Sequence, residues 1–280
     1  MGQGGEQPVL EQRGEPPFLS APLVMLRNLR TNRNLLRHLV SRDFKTTYHG
    51  HVLGYAWSFL EPLALTAIFY AVFVILRGAA DDRLPLTIMI GIMFYQTFSR
   101  TWAQTTLSLV RNSGLIKQVY APREIFLVST ASFLLQKLAL SLLIMIPCMI
   151  YWNLQPTVLL FLLPIGMLGM SLLGLGLGLI TSVIHARIRD VNQLVNITTR
   201  AGFFLSGVFY SMDLIPDEWL HVYTWNPMAV FIETARAAIY GDMGRLTSTH
   251  IGQAVGIAVA AMLIGSIVFM RFERKAVKYL

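Results

Sequence analysis

Long apolar stretches limit what this chain can fold into more than any other feature. An α-helix needs about 20 mainly apolar residues to cross the hydrocarbon layer of a membrane. Only 14% of the 280 residues are charged and 54% are hydrophobic, so the charges are too few to cover a soluble domain of this size. The sequence therefore predicts an all-α integral membrane protein with six transmembrane helices. Their expected positions are residues 57–77, 86–109, 126–152, 157–184, 195–212 and 251–270.

Basic residues are divided unequally between the two sets of connections that join these spans. The N-terminal part, the second and fourth connections and the C-terminus hold most of the Lys and Arg residues. The opposite connections hold four, namely Arg77, Arg83, Arg236 and Arg245. Because positive residues are retained on the cytoplasmic side, we expect both termini in the cytoplasm.

The chain divides into three parts by composition. Residues 1–22 are rich in Gly, Pro, Glu and Gln and predict a flexible tail. In residues 23–50, Leu and Arg alternate at helical spacing, which predicts a basic amphipathic helix along the cytoplasmic surface. Residues 51–280 form the predicted six-span domain. Within it, residues 214–240 are interrupted by Pro216 and Pro227 and predict two short re-entrant helices between spans five and six.

Sequence patterns of catalytic sites are absent from the chain. There is no phosphate-binding G-x-x-x-x-G-K-[ST] loop, no H-E-x-x-H, no G-x-S-x-G and no C-x-x-C. The string GLGLGL at 174–179 lies inside an apolar run, and its glycines are spaced for close helix packing. A membrane-bound glycosyl or acyl transferase would need clustered acids or histidines, which the scattered histidines do not supply. We therefore expect a non-catalytic protein without a cofactor of its own.

The second span carries a stripe of polar side chains. Gln96, Arg100, Gln104 and Ser108 recur every four residues, so they share one helical face beside a row of threonines. A polar face that cannot meet lipid must meet other helices or a water-filled path, and the pattern leaves both open. Charges inside predicted spans are costly and mark candidates for function. They are Arg100, Lys137 and Arg200.

The connection after the second span predicts a short cytoplasmic helix with an apolar surface. Its helix breakers are an Asn-Ser-Gly run and Pro122, and between them apolar residues stand next to basic ones. Such a surface suits docking into a groove of another protein, although resting on lipid head groups is the alternative. The residues concerned are Leu115, Ile116, Lys117, Val119, Tyr120 and Arg123.

Four stretches, spread over positions 42–236, together resemble one known family. They are RDFKTTYHGHVLGYAWSFLEPL, NSGLIKQVYAPREI, RDVNQL with FFLSGVFYSMDLIPDEW, and NPMAVFIETAR. The chain resembles the permease subunits of type-2 ABC exporters that move lipid-linked polysaccharides such as O-antigen, teichoic acid and galactan. His49-Gly50-His51 departs from the pattern, since relatives often have another basic residue there.

The resemblance implies an assembly and a location. Two copies of the chain would form a homodimer in the bacterial inner membrane, with two cytoplasmic ABC ATPase subunits that hold ATP and Mg²⁺. Residues 27–45 resemble the interface helix, residues 112–122 resemble the coupling helix seated on the ATPase, and residues 214–240 resemble the re-entrant helices. Nucleic acid has no place in such an assembly.

The substrate implied by the resemblance is a polar glycan attached to a polyprenyl diphosphate and moved outward; an exporter of a drug or another lipid is the alternative. We expect Arg37, Arg42 and Lys45 to attract the diphosphate, because Arg forms forked bonds with phosphate oxygens. Plain positive-inside anchoring explains each of them equally well.

Aromatic rings can hold successive sugars by stacking without fixing one register, so they are candidates for the glycan path. We expect fewer than about half of the candidates to line it, because membrane proteins also carry aromatic belts. The candidates, with Arg100 from the polar stripe, are Trp57, Phe59, Tyr70, Phe73, Phe94, Tyr95, Phe98, Trp102, Phe203, Phe204, Phe209 and Tyr210.

Overall fold

The computed structural model describes residues 20–77, 82–118 and 121–277, and the regular structure in these ranges is helical. The α-helices are α1 Ala21–Thr31, α2 Arg33–Tyr48, α3 Trp57–Arg77, α4 Leu84–Arg111, α5 Ser113–Gln118, α6 Glu124–Ser141, α7 Met145–Tyr151, α8 Leu163–His185, α9 Val191–Leu205, α10 Asp217–Thr224, α11 Pro227–Tyr240 and α12 Ser248–Val277. Short 3-10 turns lie at Gly54–Ala56, Leu142–Ile144, Val158–Leu162 and Met212–Leu214. The all-α prediction is confirmed for the described part of the chain, and most of the predicted tail lies outside it.

Four helical segments in the described ranges are long and apolar enough to cross a membrane. They are Gly54–Leu76, Glu124–Tyr151, Val158–His185 and Ser248–Ala276, which agree with the first, third, fourth and sixth predicted spans. Helix α4 is long enough, with 28 residues, but its polar stripe lowers its hydropathy. Helix α9 has 15 residues, so it is about 22 Å long against a hydrocarbon layer of about 30 Å. The six-span count therefore stays a prediction.

Helix α8 lies between α4 and α12 and packs closely on both. Gly174 and Gly178 face Thr101 and Thr105 of α4, and a methyl group added at Gly174 would lie 2.9 Å from the Cβ of Thr101. On the other side, a methyl group added at Gly176 would lie 2.5 Å from a backbone carbon of α12. Residues without side chains let the backbones approach this closely. The helix-packing interpretation of GLGLGL is confirmed.

The N-terminal amphipathic segment forms two helices, whereas the sequence predicted one. The chain changes direction at Asn32, which ends α1 and begins α2 with φ −104° and ψ 29°. The side-chain amide of Asn32 donates to the carbonyl of Asn28 at 2.9 Å. An Asn side chain that bonds the local backbone competes with helix continuation, which explains the break.

Both ends of the described chain lie at one end of the helix bundle. Met25 of α1 belongs to the same apolar cluster as Ile125 at the start of α6 and Phe269 near the end of α12. Asn28 of α1 also donates to Glu124 of α6 at 2.7 Å. This end of the bundle therefore carries α1, α2, α5 and the C-terminal end of α12. Its assignment to the cytoplasm rests on the charge distribution alone.

The opposite end of the bundle is closed by α10 and α11, the two short helices predicted between spans five and six. Asn226 begins α11 by accepting hydrogen bonds from the amides of Met228 at 3.0 Å and Ala229 at 3.4 Å. Gly241 ends it in the left-handed conformation, with φ 74°. Nearly all of α11 is buried against α4, α8 and α12. Two helices form as predicted, and their re-entry into the bilayer stays a prediction.

Candidate functional site

Three charged side chains from three helices meet at the junction of α3 with the bundle, and we call them the charge cluster: Glu61, Arg100 and Lys137. Arg100 of α4 donates through both terminal nitrogens to the two carboxylate oxygens of Glu61, with Nη1 at 3.2 Å from Oε2. The Nζ of Lys137 of α6 lies 3.5 Å from Oε2 of the same carboxylate. One carboxylate thus serves two cations, which leaves a net positive charge where the bundle meets an apolar helix.

The charge cluster explains two of the three intramembrane basic residues that the sequence singled out. Arg200, the third, lies exposed on α9. Glu61 was missed, although it is the only charged residue in the apolar run from Trp57 to Leu76. An acidic residue in such a run needs a cationic partner. The sequence does not show which helices pack together, so it could not identify the partners.

A small polar cleft opens beside the charge cluster. Its polar walls come from Ser58, Gln96, Thr97 and Ser141, and its apolar floor includes Met93. The side chains of Glu61 and Arg100 are 33% and 30% exposed, so the cleft reaches the surface of the bundle. Part of the polar stripe of α4 therefore faces a cleft.

The threonine edge of the same stripe serves packing. Thr101 and Thr105 are fully buried against α8. Thr106 shares a hydrogen bond of 2.6 Å with Thr181 of α8, which also accepts from the indole of Trp102 at 3.3 Å. The packing alternative is thus confirmed for the threonine edge, and a water-filled path along the other edge stays a prediction.

Helix α3 is tied to the rest of the molecule at its start. The hydroxyl of Ser141 donates to the Ser58 carbonyl at 3.0 Å, and the hydroxyls of Ser58 and Tyr48 lie 2.5 Å apart. Burial raises the pKa of the Tyr48 hydroxyl, so this group stays protonated and available as a donor. The polar ties of α3 are therefore concentrated within its first two turns.

Aromatic side chains of α3, α4 and α9 and of the turn after α9 form one connected group, which we call the aromatic cluster. Ring centroids are 5.4 Å apart between Tyr95 and Phe203, and 4.5 Å apart between Phe69 and Phe209. The hydroxyl of Tyr95 donates to the carbonyl of Thr199 at 2.6 Å. The members are Phe69, Phe73, Tyr95, Phe98, Trp102, Phe203, Phe204 and Phe209.

Seven of these eight rings were candidates from the sequence, and Phe69 is an addition. The rings pack against one another, so in this conformation they close the seam between α3, α4 and α9. Phe204, which is 61% exposed, is the member most open to the surroundings. The cluster is thus a closed contact in this conformation.

The remaining aromatic candidates lie away from this seam. Phe94 is fully buried, and its ring packs towards Gly166 of α8, so its place on the path stays a prediction. Trp57 is half exposed at the start of α3. Phe59 and Tyr70 are partly buried elsewhere on α3. The ring of Tyr210 is tilted against that of Tyr223 in α10, with the ring centroids 6.1 Å apart.

A buried ion pair fixes the turn that carries Phe209. Arg236 of α11 is 2% exposed and donates to the carbonyls of Val208 at 2.9 Å, Tyr210 at 2.8 Å and Thr87 at 3.0 Å. It also pairs with Glu233 at 2.8 Å. The sequence counted Arg236 among the basic residues of an outer connection, whereas its charge is used inside the bundle.

The predicted docking surface forms a short helix at the other end of the bundle. Helix α5 leaves Leu115 and Lys117 exposed, with Ile116 partly covered. Nη1 of Arg123 lies 3.7 Å from Oε1 of Glu273, so Arg123 pairs with a carboxylate near the C-terminal end of α12. Val119 and Tyr120 lie outside the described residues.

The predicted head-group residues occupy different surroundings on α2. Arg42 donates to Asp43 at 2.9 Å and to Asn112 at 3.4 Å, just before α5. Arg37 lines a groove between α2 and α6, and Lys45 is exposed. Arg42 therefore links α2 to the turn before α5, while Arg37 and Lys45 present their charges to the surroundings.

Comparison with known proteins identifies the family. The model of the ABC-2 type transporter family matches residues 34–240, about three quarters of the chain. The chain belongs to the ABC-2 type transporter family. This match covers the charge cluster, the aromatic cluster, α5 and α11.

Three curated relatives of this ABC-2 type protein are named for the export or transport of O-antigen, polysialic acid and capsule polysaccharide. The O-antigen export system permease protein RfbA of Klebsiella pneumoniae is 25% identical over 211 residues, covering 75% of this chain and 82% of its own. The polysialic acid transport protein KpsM of Escherichia coli is 24% identical, covering 72% and 79%. The capsule polysaccharide export inner-membrane protein BexB of Haemophilus influenzae is 24% identical, covering 86% and 91%.

Proposed function

We propose that this chain is the permease subunit of an ATP-driven exporter that moves a polyprenyl-diphosphate-linked polysaccharide from the cytoplasmic to the outer side of a bacterial inner membrane. The observation that carries the proposal is the similarity to O-antigen, polysialic acid and capsule export proteins over most of each chain. In this assignment both termini lie in the cytoplasm, two permeases form a homodimer, and the chain itself is not catalytic.

Energy in this proposal comes from two copies of a separate ABC ATPase subunit, which holds ATP and Mg²⁺. The chain has no phosphate-binding loop. Helix α5 is the proposed contact, because its exposed apolar and basic side chains project at the end of the bundle that carries α1 and α2. Arg42 and Asn112 would pass movement of α5 to α2 through their hydrogen bond.

The proposed path for the glycan runs along the seam closed by the aromatic cluster. Its rings offer flat faces to which sugars can bind and from which they can be released. Movement of α3 or α9 away from α4 would separate Phe69 and Phe203 from Tyr95 and expose these faces. Arg37 and Lys45 remain the proposed residues that attract the diphosphate at the cytoplasmic surface.

The proposal is tested by purifying the chain together with a candidate ATPase subunit and measuring ATP turnover. We expect glycan-linked polyprenyl diphosphate to stimulate hydrolysis, and Leu115→Asp to prevent co-purification because it places a charge in the apolar contact. Leu23→Asp is the matched control, since Leu23 is also exposed at this end of the bundle. Stimulation by small drug-like lipids instead of the glycan lipid would contradict the assigned substrate.

A further inference from the structure

The charge cluster holds more positive than negative charge at a depth where charge is expensive. Glu61 is four residues past Trp57, so it lies about 6 Å along α3 from the helix start. Its carboxylate is shared by Arg100 and Lys137. An excess cation at a membrane boundary is stabilised by an anionic group that can reach it. The cleft beside the cluster provides such access, because the Lys137 side chain is 19% exposed and the other two more so.

The surroundings of the cleft fit an amphiphile with an anionic head. Gln96 of α4 supplies a hydrogen-bonding amide beside the cations, whereas the hydroxyls of Ser58 and Ser141 are already bonded to Tyr48 and to backbone carbonyls. Beyond the cleft, the outer face of α3 is apolar and exposed, with Ile68 59% and Ile75 80% exposed. A phosphate head could bind at the cleft while an isoprenoid tail lies along α3. Arg forms forked, charge-assisted hydrogen bonds that suit phosphate oxygens.

We propose that Arg100 and Lys137 form a binding site for the phosphate oxygens of a polyprenyl diphosphate, and that Glu61 occupies this site as an internal competitor when the ligand is absent. The choice of a lipid-linked ligand rests on the proposed function. Binding of the diphosphate would release Glu61 from its two cations. Since Glu61 is a principal polar tie between α3 and the bundle, ligand binding would loosen α3 next to the aromatic cluster.

The test uses the purified full-length chain in detergent and isothermal titration with farnesyl diphosphate, inorganic diphosphate and farnesol. We expect Arg100→Gln and Lys137→Gln each to weaken farnesyl diphosphate binding about tenfold, the loss of one charge-assisted bond. We expect Glu61→Gln to strengthen it about tenfold, because the competing carboxylate is gone. Arg200→Gln is the control, since Arg200 lies on α9 away from the cleft.

The sign of the Glu61→Gln effect decides the proposal. A purely structural ion cluster predicts that Glu61→Gln lowers the melting temperature without strengthening binding, and that result would overturn the site. Glu61→Asp, which keeps the carboxylate, should bind like the parent chain and controls for misfolding. Equal affinity for inorganic diphosphate would assign the site to free phosphate and overturn the lipid source, and equal affinity for farnesol would overturn the phosphate contact.

Failure of this site and failure of the proposed function give different results. A chain that shows the expected affinity pattern, but whose ATPase complex ignores glycan lipid, keeps the site and loses the polysaccharide assignment. A complex that responds to glycan lipid, with affinities unchanged by all three substitutions, keeps the function and loses the site.

Discussion

Helices α8 and α3 are both apolar spans of similar length, yet they are held in opposite ways. In the α8 segment, 39% of the most apolar 18-residue stretch is buried. The glycines of α8 bring it against the backbones of α4 and α12. In the α3 segment, 11% of the equivalent stretch is buried. The polar ties of α3 lie in its first two turns. Helices α4, α8 and α12 thus pack together as one frame, whereas fewer residues of α3 are buried and its polar ties lie at one end.

This difference matters for the mechanism, because a transporter needs one part that stays fixed and another that moves. Contacts between α3 and the frame consist mainly of the charge cluster and the aromatic cluster. Both clusters consist of contacts between side chains, so α3 can separate from α4 there without breaking the hydrogen bonds within either helix. The following predictions test whether the frame is as rigid, and α3 as loosely held, as the packing indicates.

The largest effect is expected for Arg236→Ala on α11, at the end of the bundle opposite to α5. The substitution leaves Glu233 buried without its cation and removes the side chain that donates to the carbonyls of Thr87, Val208 and Tyr210. Breaking a buried pair by removing one partner costs about 3–5 kcal/mol, so the purified chain should lose much of its thermal stability. The melting temperature in detergent is the measurement.

Arg245→Ala is the control for that experiment. Arg245 also pairs with a carboxylate, but its partner Asp217 is 93% exposed, so about 1 kcal/mol or less is expected. Equal melting temperatures for the two variants would show that α11 does not fix the frame.

A smaller loss is expected for Gly176→Ala, which places a methyl group against the backbone of α12 at 2.5 Å. Overpacking of this kind costs about 1–3 kcal/mol, because neither backbone can move aside cheaply. Gly256→Ala adds the same methyl group on α12 where no atom lies within 4 Å, and should be neutral. If both variants melt like the parent chain, the contact between α8 and α12 is looser than the structure indicates.

The sequence predicted much of the frame but little of the attachment of α3. Glycine spacing at 174–178 is a local signal, so it predicted close packing correctly without knowledge of the partner helix. The polar stripe of α4 was also visible, because it depends only on helical periodicity. Glu61 was missed because its role depends on two cationic partners, Arg100 and Lys137, which lie 39 and 76 residues away along the chain.

The break at Asn32 and the burial of Arg236 were missed for different reasons. Asn32 interrupts a leucine and arginine pattern that continues on both sides, so periodicity alone indicated a single helix, although the cause of the break is a local bond to Asn28. Arg236 stands in a segment that the charge count treated as a connection, and its burial follows from the packing of α11 on three other helices. Arg236, like Glu61, thus depends on interactions between distant segments, which one sequence could not provide.

A loss of stability smaller than that of Gly176→Ala is expected for Phe209→Leu in the aromatic cluster. The ring of Phe209 contacts those of Phe69, Phe73, Phe203 and Phe204, and aromatic pairs contribute about 0.5–1.5 kcal/mol beyond their buried area. We expect a stability loss of about 1 kcal/mol and faster hydrogen exchange in α3, with α8 unchanged. Phe161→Leu, at a position 80% exposed, is the control. Faster exchange in α8 as well would contradict the separation between a fixed frame and a movable helix.

The smallest effect in the isolated chain is expected for Ile68→Ala on the exposed face of α3. Ile68 is 59% exposed and Leu179 of α8 is fully buried, so Leu179→Ala should cost about 2–5 kcal/mol and Ile68→Ala about 0.5 kcal/mol. Unfolding of the purified chain at several protein concentrations is the measurement. A loss for Ile68→Ala that grows with protein concentration would mean that a second copy covers this face, as the proposed homodimer allows. A loss as large as that of Leu179→Ala at every concentration would instead mean that α3 is packed within its own chain, and the comparison between the two helices would fail.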